Sequence, residues 1–109
     1  SISLLTIDNC SSLNNFSGFQ CPESFYNIEI INNANLTSLD GLDNCLFIEG
    51  NLIIDRNESL VDLSGLSSLQ SVDRNLEIIN NHSLGDSAAI AFSVNIDVGL
   101  QVIIGGNAP

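Results

Sequence analysis

Thirteen carboxylates, one imidazole (His82), three thiols (Cys10, Cys21 and Cys45), two arginines and no lysine are the groups in this 109-residue chain that could do chemistry. Two carboxylates facing each other about 5 to 10 Å apart are enough to hydrolyse a glycoside, and Glu29 with Asp55 would qualify if the fold set them side by side. Solvated surface charge is the expected role of both. A catalytic thiol needs an imidazole in reach, and His82 lies far along the chain from Cys10. With a single His and no Lys, almost nothing serves as a general base near neutral pH. Asp40 and Asp43 carry the oxygen ligands that calcium prefers. No Asp-x-Asp-x-Asp-Gly loop surrounds them, so both are expected in water. No Gly-rich phosphate loop, His-x-x-x-His, Cys-x-x-Cys or Gly-x-Ser-x-Gly occurs. The expectation is a chain with no catalytic residues, no metal and no cofactor.

Charge narrows the partners further. Two cations against thirteen carboxylates leave 2 − 13 = −11, which repels nucleic-acid phosphate and anionic membrane surfaces alike. An apolar content of 44% excludes a disordered chain and predicts one packed domain over residues 1–109. No apolar run approaches the roughly 18 residues that span a bilayer. The chain opens at Ser1 without a Met or a leader, and is expected to be an excised or processed piece of a longer protein. Asn9, Asn15, Asn35, Asn57 and Asn81 stand in N-x-S/T sequons and would accept glycans in a eukaryotic secretory pathway.

What must position these groups is a repeat. NIEIINNANLTSLDGLDNCLFIEG (27–50) and NLIIDRNESLVDLSGLSSLQSVDR (51–74) align without a gap, pairing Ile28 with Leu52, Ile30 with Ile54, Asn33 with Asn57, Leu36 with Leu60, Leu39 with Leu63, Gly41 with Gly65 and Leu42 with Leu66. A third copy keeps Leu76, Ile78, Asn81 and Leu84, then replaces its Leu-x-Gly-Leu stretch with SAAIAFSVNIDV. Such a unit is too short for two helices, and its N-L-x-I alternation has the period of a strand with one buried face. The prediction is an all-β chain: a right-handed parallel β-helix or solenoid of about four turns, 23–25 residues each, beginning near residues 4, 27, 51, 75 and 99. Each turn adds a second short extended piece, as at 47–49 and 71–73.

Alternation points Ile28, Ile30, Leu52, Ile54, Leu76, Ile78, Leu100 and Val102 inward. It leaves Glu29, Ile31, Ile53, Asp55, Glu77, Ile79, Gln101 and Ile103 on the outer sheet face, where carboxylates mix with isoleucines. That mixture suits either a parallel sheet's taste for β-branched residues or a binding patch. Asn33, Asn57 and Asn81 share the position after the strand, where an amide can satisfy backbone groups at the bend, giving a structural Asn ladder. Gly18, Gly41 and Gly65 suit tight or left-handed bends. Cys10 occupies the ladder slot of the first turn and is expected to be a buried thiol, the alternative being a bond to a cysteine outside this chain. Cys21 and Cys45 each fall six residues before the next turn. Stacked strands lie about 4.8 Å apart, within the Cα range of a disulfide, so these two can bond without strain.

The stretch CPESFYNIEIINNANLTSLDGLDNCLFIEGNLII (21–54) resembles the start of the first L domain of the insulin receptor family, with its Cys-Pro, Asn-Leu-Thr, Leu-x-Asn-Cys and Ile-Glu-Gly-x-Leu-x-Ile. LTSLDGLDN, LVDLSGLSSLQSV, NLEIINNHSL and VIIGGNAP are also similar to L-domain-like repeats of secreted Bacteroidetes surface proteins. The resemblance implies a leucine-rich extracellular domain, a Cys21–Cys45 disulfide, and a protein or carbohydrate ligand on the sheet's outer face, at Glu29, Ile31, Ile53, Asp55, Glu77 and Ile79. Against it stand the missing amino-terminal helical cap, cysteine-rich module and second L domain. The chain is therefore expected to be a secreted or cell-surface binding module with no nucleic-acid or membrane-inserted partner. One alternative is a subunit that binds copies of itself in a filament, wall layer or adhesin stalk; a carboxylate-based hydrolase is the other.

Overall fold

The computed structural model describes residues 4–19, 22 and 24–108. Its strands, in chain order, are β1 (Leu4–Asp8), β2 (Ser24–Phe25), β3 (Asn27–Ile31), β4 (Phe47–Ile48), β5 (Leu52–Asp55), β6 (Ser71–Val72), β7 (Leu76–Ile79), β8 (Asp97–Val98) and β9 (Val102–Gly105), with a helix α1 (Asp86–Ser93) between β7 and β8. They form two parallel sheets, one ordered β1-β3-β5-β7-β9 and the other β2-β4-β6-β8. Successive strands therefore alternate between sheets, and each repeat supplies one strand to each.

The register follows the sequence repeat. Leu5 pairs with Ile28, Ile28 with Leu52, Leu52 with Leu76 and Leu76 with Val102. The inward side chains of the long sheet, Ile28, Ile30, Leu52, Ile54, Leu76 and Ile78, are fully buried. They meet Phe25, Ile48 and Val72 of the short sheet and the leucines of the connecting arcs, Leu36, Leu39, Leu42, Leu60, Leu63 and Leu66, in one continuous core. Each arc needs glycine for a physical reason. Gly41 has φ +111°, and a Cβ there would overlap the Phe16 carbonyl; Gly65 lies against the Leu39 carbonyl of the preceding arc.

Asparagine amides tie the repeats together. Asn33 Oδ1 accepts the Cys10 N–H (2.9 Å), Asn57 Oδ1 the Asn33 N–H (3.1 Å) and Asn81 Oδ1 the Asn57 N–H (2.9 Å), while Asn57 Nδ2 donates to the Ile30 carbonyl and Asn81 Nδ2 to that of Ile54. Asn107 extends this ladder by one step, accepting the Asn81 N–H at 2.9 Å. A second ladder lies at the other end of the strands. Asn27, Asn51 and Asn75 accept the backbone N–H of Asn51, Asn75 and Gln101 in turn. A third column links Asn35 Nδ2 to the Ser11 carbonyl, Ser59 Oγ to that of Ala34 and Ser83 Oγ to that of Glu58. Backbone groups at the bends, which would be costly to bury unpaired, thus find partners one repeat away.

Three expectations need correction. The chain is mostly β rather than all-β, because Ala88, Ala89 and Ala91 favour helix and Asp86 stands in the first turn of α1, where its charge suits the helix dipole. Housing α1 lengthens the third repeat to the Leu76–Val102 offset, so the fifth long-sheet strand starts at Val102, not near residue 99. Leu100 therefore precedes β9 and is 62% exposed, and Ile104 takes the place opposite Ile78. Finally, Cys10 is exposed rather than buried, because its ladder slot lies in the terminal repeat, with no further repeat over it among the described residues. The expected Cys21–Cys45 bond rests on Cys21, outside the described residues; Cys45 is fully buried.

Candidate functional site: the outer face of the long sheet

In a strand, side chains alternate between faces, so the residues between the buried ones line the solvent side of the long sheet. Pairing sorts them into two columns running across the strands. One holds Thr6, Glu29, Ile53, Glu77 and Ile103; the other holds Asp8, Ile31, Asp55, Ile79 and Gly105. The six residues predicted for binding, Glu29, Ile31, Ile53, Asp55, Glu77 and Ile79, form one contiguous block, two positions on each of three adjacent strands. All six are half-buried by their neighbours.

The block is a checkerboard. Each carboxylate has an isoleucine two residues away on its own strand and isoleucine beside it on the adjacent described strands within the block. Adjacent strands lie about 4.8 Å apart and residues i and i+2 about 6.7 Å apart, so diagonally related carboxylates such as Glu29 and Asp55 stand roughly 8 Å apart at the backbone. Alternation thus keeps like charges off directly paired positions, where they would repel most strongly. The Asp55 side chain is 13% exposed. Arg56 Nη1 lies 3.1 Å from its Oδ2, and Asn80 Nδ2 lies 3.4 Å from its Oδ1.

A left-handed corner brings Arg56 there. Asn9, Asn32, Arg56 and Asn80 follow the strands at equivalent positions, all with φ of 58–59°. Asparagine tolerates that conformation and arginine does so at a cost. Because the Arg56 side chain is 63% exposed and keeps its water, the ion pair itself contributes little even though Asp55 is sheltered.

Other sequence-derived candidates are not assembled into sites. Cys10 stands three ladder steps from Asn81, the neighbour of His82, or about 14 Å at the strand spacing. Asp40 and Asp43 are exposed, and no group of three possible metal ligands exists among the described residues. A cavity of about 230 Å³ lies between α1 and the second leucine arc, lined by Leu63, Leu66, Leu69, Phe92, Asn95 and Ile96 among others and by no carboxylate. Among the sequons, Asn57 and Asn81 are fully buried with their amides bonded in the ladder, which leaves no room for a glycan and corrects that expectation. Asn9, Asn15 and Asn35 are exposed, although Asn35 Nδ2 is engaged by the Ser11 carbonyl.

Reading the sequence alone missed Asn107, the Asn27–Asn51–Asn75 ladder and α1. The second ladder had a signal in the alignment, since those asparagines open successive repeats 24 residues apart. Asn107 had none, because the helix displaces it to a 26-residue offset from Asn81. No family model, curated protein or solved structure matches this chain.

Proposed function

We propose that this chain is a non-catalytic extracellular recognition module, a right-handed leucine-rich β-solenoid similar to receptor L domains, which binds a protein or carbohydrate through the outer face of its long sheet. The observation that carries this reading is the checkerboard itself. Five strands present a solvent-facing surface that neither the short sheet nor α1 covers, with four half-exposed or exposed isoleucines (Ile31, Ile53, Ile79 and Ile103) set among carboxylates. The alternation of strands between two parallel sheets and the ladders one repeat apart support the solenoid. Exposed sequons at Asn9, Asn15 and Asn35 support secretion. A hydrolase is disfavoured because Glu29 and Asp55 share an open sheet face rather than a cleft, and Arg56 pairs with Asp55.

Replacing Ile31, Ile53 and Ile79 together by Asp tests the proposal. Binding to any ligand found on a glycan array or in an extracellular extract should be lost while the circular dichroism spectrum is kept. Retained binding would place the site elsewhere. A second reading, assembly of copies end to end, is favoured by the apolar surface at the end of the last repeats, where Ile90, Val94, Leu100 and Val102 are all exposed. Light scattering over a dilution series decides it: a monodisperse monomer at high concentration rejects assembly.

A further inference from the structure

The pattern of the outer face narrows the chemistry of its partner, an inference that rests on the sheet-face reading above. We propose that the face takes a basic polypeptide in extended form: a β-hairpin with Lys or Arg at position i and an aliphatic residue at i+2 on each strand.

The first argument is charge. Asp8, Glu29, Asp55 and Glu77 form a diagonal zigzag across four strands, and the ion pair from Arg56 serves only Asp55. An apolar partner would desolvate the other carboxylates without pairing them, at a cost that removes the gain from burying isoleucine. A second copy fares no better, since it brings the same carboxylates and the same −11 charge. A cationic partner converts that cost into paired hydrogen bonds.

The second argument separates polypeptide from sugar. None of the ten face positions, from Thr6 and Asp8 to Ile103 and Gly105, carries an aromatic ring. A flat platform for stacking a pyranose is missing, whereas aliphatic side chains suit the isoleucines.

The third argument is register. Along β3 the order is Glu29 then Ile31, along β5 it reverses to Ile53 then Asp55, and along β7 it returns to Glu77 then Ile79. A partner sheet needs the complementary alternation. Two antiparallel strands with the same Lys-x-Val motif supply it, because reversing one strand swaps the order of its cation and its aliphatic residue. Both sheets have the same spacings, about 4.8 Å between strands and 6.7 Å between i and i+2, and opposed sheet faces pack about 10 Å apart.

The test uses the full 109-residue chain and two synthetic cyclised hairpins of identical composition. One carries Lys-x-Val on both strands. The other carries Lys-x-Lys on one strand and Val-x-Val on the other, so charge and hydrophobicity match and only the pattern differs. By calorimetry the first should bind about tenfold or more tightly than the second or than oligolysine. The double variant Glu29→Gln with Glu77→Gln, of unchanged size, should weaken it about tenfold, and raised salt should weaken it further. Equal affinity for the two hairpins, or no binding of either, overturns the inference. If neither hairpin binds but a glycan does, and the triple Ile→Asp change abolishes that, the sheet face stands and the basic partner falls. If the first hairpin binds and neither set of face variants alters it, the sheet-face reading falls as well.

Discussion

Asn57 offers the sharpest test of what holds the repeats together. Its Oδ1 accepts the Asn33 N–H (3.1 Å) and Asn33 Nδ2 (3.0 Å), and its Nδ2 donates to the Ile30 carbonyl (2.9 Å) and to Asn81 Oδ1 (3.3 Å), all at full burial. Truncation to Ala strands one buried N–H at Asn33 and removes the second hydrogen bond of the Ile30 carbonyl, which keeps the Asp55 N–H of the sheet. Asn33 Nδ2 keeps the Ile7 carbonyl, and Asn81 Oδ1 keeps the Asn57 N–H. One orphaned buried N–H at about 1–3 kcal/mol and one lost hydrogen bond to a still-paired carbonyl at about 0.5–1.5 kcal/mol give a loss of about 1.5–4.5 kcal/mol, a large share of the 5–15 kcal/mol typical of a whole domain. Asn33→Ala should cost less, because the Cys10 N–H that it strands is only partly buried and can turn to water, while the Ile7 carbonyl keeps the Ile31 N–H of the sheet. Asn15→Ala, an exposed asparagine whose side chain accepts only the Ser17 N–H, serves as the surface control. Urea unfolding of the three variants should order them Asn57 above Asn33 above Asn15. A loss below about 1 kcal/mol for Asn57→Ala, or no difference from Asn15→Ala, refutes the ladder as a source of stability.

Further outcomes follow from the same contacts. Gly65→Ala forces a methyl group into the Leu39 backbone and should lower stability by several kcal/mol or prevent folding, whereas Gly105→Ala, with open space around it, should fold normally. Arg56→Asn replaces a left-handed arginine with a residue that tolerates the conformation and should raise stability by about 0.5–1 kcal/mol in thermal unfolding, since the exposed ion pair it sacrifices contributes little; a net loss would mean that the Arg56–Asp55 pair matters more than its exposure suggests. Added sodium chloride should raise the melting temperature by screening a −11 chain, and a flat response would show the carboxylates to be already neutralised. Expressed in a eukaryotic secretory host, folded protein should carry no glycan at Asn57 or Asn81 by peptide mapping, with any occupancy confined to Asn9, Asn15 and Asn35; a modified ladder asparagine in folded material would contradict its burial.

How far the sequence could be read depended on where a residue sits in the repeat. β3, β5 and β7 were legible because alternation and the 24-residue repeat agree there, and the same two features fixed both the buried isoleucines and the outward block. Short-sheet strands β4 and β6 fell inside the predicted extended pieces. The third repeat was where reasoning failed. Its loss of leucines was plain, but the helix that replaces them and its two extra residues were not, so Leu100 was assigned the place opposite Leu76 that belongs one alternation later, to the exposed Val102, and Val102 the place opposite Ile78 that belongs to Ile104. Cys10 shows a different limit: a slot that is buried in the middle of the stack is exposed in the outermost of the described repeats. The checkerboard was implicit in the gapless alignment, which sets Glu29 beside Ile53 and Ile53 beside Glu77, and the register bears out that arrangement. Alternation had already shown that acids and isoleucines share that face.

Everything said of the binding face requires that Ile53 touch residues 24 positions away on both sides. A NOESY spectrum of isotopically labelled protein reads this contact. The Ile53 methyl protons should show cross-peaks to the side chains of Glu29 and Glu77, its register partners on β3 and β7. Cross-peaks from Ile53 confined to its chain neighbours, with none to Glu29 or Glu77, would dissolve the face and the function proposed for it.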